Sequence, residues 1–107
     1  MENDRLEQLR TMLAEEPSDL FIRYAIALEL RSRGSMEEAV TALQGLLRDA
    51  PDHVPSYYQL ALFQADLGSM EDAIATCERG MVQAGAVGDR KALAELKELR
   101  ETLLDER

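Results

Sequence analysis

Apolar residues recur at helical spacing along most of the chain, and the runs are divided by short polar, glycine or proline breaks. Residues 20–33 and 54–67 are rich in helix formers, contain no internal glycine, and stop at Gly34 and Gly68. A glycine there can take the left-handed conformation that closes a helix without a Cβ clash. Ser35 and Ser69 follow at N-cap positions, with Glu38 and Asp72 three residues on, so a capping box is expected at the first and a shorter variant at the second. Pro51 ends the next helix because it cannot donate the following helical hydrogen bond. Upstream, Leu6, Leu9, Met12 and Leu13 mark a helix over 3–15. Downstream, Gly85-Ala86-Val87-Gly88 reads as a loop, with Asp89 as N-cap of a last helix over 90–105. That helix carries a stripe of Leu93, Leu96 and Leu103, widened by Ala92 and Leu99, and charged residues fill most of the rest. The pattern predicts six helices, no linker and no second domain.

The pattern also repeats itself. At an offset of 34 residues, Gly34-Ser35-Met36-Glu37-Glu38-Ala39-Val40 falls on Gly68-Ser69-Met70-Glu71-Asp72-Ala73-Ile74, with five of seven pairs identical. Tyr24 falls on Tyr58, Ala27-Leu28 on Ala61-Leu62 and Pro17 on Pro51. A helix-turn-helix of this period resembles the tetratricopeptide repeat family, whose unit follows W-x2-L-G-x2-Y, A-x3-F and P. The corresponding residues are Arg23, Ile26, Ala27, Leu30, Ala39, Leu43 and Pro51, then Tyr57, Leu60, Ala61, Gln64, Ala73, Cys77 and Gly85. The small positions match, whereas Arg23, Gln64, Cys77 and Gly85 depart from the pattern. The resemblance implies an all-α stack of antiparallel helical hairpins in a right-handed superhelical segment. It divides one domain into a half-repeat helix over 3–16, repeats over 18–51 and 52–85, and a capping helix over 89–106, with Ala27 packed near Ala39 and Ala61 near Ala73.

Charge narrows the partners. The chain has 21 acidic residues against 12 Lys plus Arg, a formal net charge of −9. Nucleic-acid binding relies on cations displacing condensed counterions, so a polyanion or an anionic membrane is a poor partner and none is expected. No apolar run approaches the roughly 20 residues that span a bilayer, and the acidic start Met1-Glu2-Asn3-Asp4 is unlike a signal peptide, which together predict a cytoplasmic protein. Candidate chemistry is sparse. Cys77 is the single cysteine and stands at a core position equivalent to Leu43; His53 is the single histidine and lies in a turn. The acidic pairs Glu37/Glu38 and Glu71/Asp72 stand in first helical turns, where they complement the helix dipole. No set converges as a nucleophile with its base or as metal ligands, so no enzyme activity, catalytic residue, cofactor or metal is expected.

The first helix of each repeat is more apolar than a core stripe requires. Between Leu20 and Leu30 only Arg23 and Glu29 are charged, and between Tyr57 and Ala65 the strongly polar residues are Gln59 and Gln64. In the tetratricopeptide family this helix lines a concave groove. The resemblance therefore implies a peptide-binding surface of Phe21, Tyr24, Leu28, Tyr58, Gln59 and Leu62, and a protein or peptide as partner. One subclass of the family grips a carboxylate-ended chaperone tail with Lys, Arg and Asn; the places here hold Tyr24, Leu28, Gln59 and Leu62, which does not resemble it. The alternative is a homodimer in which two chains cover the apolar face mutually, or a last helix folded over that face.

Overall fold

The computed structural model describes residues 4–107, and its elements are six helices. They are α1 (Arg5–Glu15), α2 (Leu20–Ser32), α3 (Met36–Asp49), α4 (Val54–Asp66), α5 (Met70–Val87) and α6 (Arg90–Glu106). The expected start of the first helix at residue 3 lies outside the described residues.

The glycine stops work as the pattern predicts. Gly34, Gly68 and Gly88 have φ of 82°, 83° and 77°. At the first, Gly34 N–H donates to Arg31 O and Ser35 N–H to Leu30 O; Gly68 and Ser69 repeat the pair on Ala65 and Gln64. This double bond pattern satisfies carbonyls that the helix end would leave open. The capping boxes do not form. Ser35 and Ser69 sit at the N-cap positions with ψ of 61° and 66°, and neither hydroxyl caps the helix. Asp4 and Asp19, with extended ψ of 112° and 111°, do accept from first-turn amides. The serine backbone, whose N–H closes the preceding helix, is bent away from the extended ψ that Asp4 and Asp19 have.

α5 differs from expectation in its length. It runs through Gly85 to Val87, leaving Gly88 and Asp89 as the connection to α6 in place of a loop over 85–88. A helical glycine costs about 1 kcal/mol against alanine, far less than the proline that usually ends this unit. Asp89 is the N-cap of α6, accepting from Ala92 N–H at 3.0 Å.

Each helix packs chiefly on the next in sequence, and α6 also reaches α4. The molecule is consequently elongated, 45 × 29 × 20 Å, with a radius of gyration of 14.2 Å against about 13 Å for a globule of this length. Ala27, Ala39, Ala61 and Ala73 are fully buried, the first pair in one core cluster and the second in another. Leu43, Leu46, Leu60, Phe63 and Leu96 are the large side chains sealed between them. In α1, Leu6 and Leu9 are buried while Met12 is exposed, so the first helix turns a narrower face inward than its apolar content suggests.

Three polar residues that stand at pattern positions have their own partners. Tyr57 is buried and donates its hydroxyl to Pro51 O at 2.6 Å. Gln64 is buried and its amide oxygen accepts from Thr76 Oγ1 at 2.7 Å, which ties α4 to α5. Arg23 reaches Asp49 at 2.9 Å, joining the start of α2 to the end of α3. A polar residue in these places survives because each buried polar atom is bonded.

Candidate functional site

The expected groove residues lie on α2 and α4, which sequence position sets as the first helices of consecutive hairpins. Phe21 is 74% exposed, an unusual value for a large aromatic side chain. Tyr24, Leu28, Tyr58 and Leu62 are half-buried and rest against the main core cluster, and Gln59 is half-buried beside them. These side chains therefore share their area between core and solvent.

Tyr24 is the link between the two helices. Its ring lies 5.5 Å from that of His53, tilted by 59°, and burial raises the phenol pKa above its ordinary value, an effect the Gln59 side chain partly offsets. His53 Nδ1 in turn lies 2.8 Å from Ser56 Oγ at the start of α4. Burial lowers the imidazole pKa and Asp52 works against that shift. The histidine is thus a half-buried bracket between α2 and α4, more enclosed than the exposed turn residue that its position suggests. Arg31 makes a second bridge: it stacks over the Phe63 ring at 5.5 Å and reaches Asp66 at 3.7 Å.

Tyr58 borders a different neighbour. A cleft of about 200 Å³ runs between α4 and α6, lined on one side by Val54, Pro55 and Tyr58 and on the other by Lys91, Ala92 and Glu95. The last helix flanks Tyr58, while Phe21 is open to solvent.

Groups with reactive potential are placed differently. Cys77 is fully buried, and burial pushes its thiol up from 9.0 to about 11, with Arg100 lowering and Glu78 raising the value. A thiol held so far above neutral pH presents almost no thiolate. Among the described residues no group of three His, Cys, Asp or Glu side chains converges to hold a metal ion, and no helix is long and apolar enough to cross a membrane.

Comparison with known proteins gives the architecture its family. A solution structure of a tetratricopeptide repeat domain protein from Salinibacter ruber superposes with a TM-score of 0.79 at 32% identity, covering 81% of this chain and 88% of that one. A crystal structure of a tetratricopeptide repeat domain protein from the same organism gives 0.78 at 30% identity, covering 83% and 99%. The chain belongs to the tetratricopeptide repeat family. The TPR2B domain of yeast Sti1, solved in a complex with pHsp70, has the same fold with a TM-score of 0.87 at 19% identity, over 95% of this chain and 82% of that one. No protein-family model matches the chain, and no curated protein does. Within the tetratricopeptide repeat, Tyr24 and Tyr58 occupy equivalent places 34 residues apart, as do Leu28 and Leu62. The α4–α6 cleft beside Tyr58 and the Gln64–Thr76 bond are features that the repeat pattern does not signal.

Proposed function

We propose that this protein is a non-enzymatic interaction module that takes an apolar or mixed-charge peptide segment along α2 and α4, on Phe21, Tyr24, Leu28, Tyr58, Gln59 and Leu62. The observation that carries the reading is Phe21, 74% exposed at one end of a row whose other members keep part of their area in solvent. An exposed aromatic next to half-buried ones offers large contact area at low entropic cost. The complex of the yeast Sti1 domain with pHsp70 supports the reading by showing that this fold can serve as a binding module. The surface here carries tyrosine, leucine and glutamine, which favours apolar side chains over a chaperone-type carboxylate end.

The test uses a peptide selected against the protein from a random library. Tyr24→Ala with Tyr58→Ala should weaken its capture by tenfold or more, since interface aromatics cost upwards of about 1 kcal/mol each when truncated. Both tyrosines also touch the core, so melting temperature is measured alongside. Phe21→Ala removes a side chain with little core contact and should weaken capture with melting unchanged. Full affinity in both folded variants would place recognition elsewhere. Concentration-dependent sedimentation that Phe21→Ala abolishes would identify a second chain as the occupant of the face.

A further inference from the structure

A second cleft, of about 660 Å³, opens between α3, α4 and α5 and shares no lining residue with the proposed peptide surface. Its volume is in the range of roughly 300–1,000 Å³ that accommodates small ligands or a few side chains. Leu47, Tyr57 and Leu60, all buried, supply apolar lining, and Val82, 68% exposed, supplies an apolar rim. Gln44 and Gln83 add amides that can bond a peptide backbone, and Arg48 and Arg79 add two positive charges.

The charge of this cleft is opposite to that of the molecule. The chain has 21 acidic residues and a formal charge of −9, yet no carboxylate lines these walls. Ion pairs elsewhere engage Arg23, Arg31, Arg33, Arg100 and Arg107; neither Arg48 nor Arg79 forms one among the described residues. The Arg48 guanidinium lies back over Gly45, with Nη2 3.4 Å from where a Cβ would stand and Arg23 Nη2 3.6 Å from the same point, so two cations gather at that edge of the cleft; Arg79 donates to Thr76 Oγ1 at 3.3 Å. At Tyr57 burial raises the phenol pKa, the positive charge of Arg79 lowers it, and the carboxylate of Asp52, next to Pro51 at the edge of the cleft, raises it. Two arginines without carboxylate partners, flanking apolar walls, leave charge-assisted bonds to be made by an incoming anion.

We infer that this cleft is a second docking site, for an acidic peptide segment that sets a carboxylate against Arg48 and Arg79 and an aliphatic side chain against Leu47 and Leu60. An inorganic anion would leave the apolar walls uncovered, and a basic segment would meet the two arginines. The glutamines suit a ligand with a peptide backbone.

The probe is a fluorescein-labelled octapeptide alternating glutamate with leucine, compared by anisotropy with its glutamine–leucine counterpart. The glutamate peptide should bind saturably, and the glutamine peptide at least tenfold more weakly. Arg48→Gln with Arg79→Gln should weaken the glutamate peptide at least tenfold, and the Arg48→Lys, Arg79→Lys pair should retain part of the binding. Phe21→Ala and Leu62→Ala, at positions that do not line the cleft, should leave it unchanged. Melting curves establish that each variant is folded; Arg48→Gln alone, which removes no hydrogen bond seen here, serves if Arg79→Gln unfolds. Absence of saturable binding, equal affinity for the two peptides, indifference to the folded glutamine variants, or sensitivity to Phe21→Ala would each overturn the inference. So would self-association in sedimentation that the glutamine variants abolish, which would make a second copy the occupant.

Discussion

A Cβ placed on Gly80 would stand 2.6 Å from Tyr57 Cβ and 2.9 Å from Leu96 Cδ1. The absence of a side chain at this one helical position lets α5 lie against α4 and α6 together. Gly80→Ala would gain up to about 1 kcal/mol of helix propensity but force the backbones apart, and overpacking typically costs about 1–3 kcal/mol. At Gly85, five residues on in the same helix, a Cβ would meet nothing within 4 Å. We expect the same substitution to lower stability at Gly80 and to raise it by about 0.5–1 kcal/mol at Gly85, as read from urea midpoints. Equal signs would show that propensity, and not fit, governs α5. The sequence reveals such small-residue contacts only where they repeat. Ala27 aligns with Ala61 and Ala39 with Ala73, and all four are buried. Gly80 has no counterpart of its own kind in the first repeat, where Leu46 stands 34 residues earlier. Gln64 is a similar case: it reads as polar surplus, but Thr76 on the facing helix bonds it, and a single chain pattern shows which side a residue faces without showing what faces it.

Among the elements, α2, α3 and α4 are legible to within a residue or two because Gly34, Pro51 and Gly68 punctuate them. The end of α5 is not, because the place usually held by proline carries Gly85, which a helix tolerates. The cleft between α3, α4 and α5 is illegible for another reason. Its residues are scattered from Gln44 to Gln83, and only packing brings them together. The last helix was legible as an amphipathic cover from its leucine stripe, and Leu96 and Leu103 are indeed its buried residues. Leu96 touches the main cluster and stands over Gly80, so Leu96→Ala should cost about 2–5 kcal/mol in chemical denaturation. Lys97→Ala, at an exposed neighbouring position, should stay within about 0.5 kcal/mol of the parent. Similar losses at the two sites would mean that α6 does not pack as a cover.

For the molecule as a whole, charge governs which polymers approach it. A formal charge of −9 repels a phosphate backbone, and the cleft carrying Arg48 and Arg79 is too local a patch to track one. No salt-sensitive binding to duplex DNA or RNA is expected at physiological ionic strength in a filter or mobility assay; a steep salt slope would contradict this. The sequential packing of the helices has a further consequence, for kinetics. Because each helix meets chiefly its immediate successor, the chain closes only short loops as it forms, and proteins rich in such local contacts reach the native state in microseconds to milliseconds. The same neighbour-to-neighbour order makes α1, which packs only thinly on α2, the first helix to fray, while α4 and α5, the most closely packed pair, hold longest.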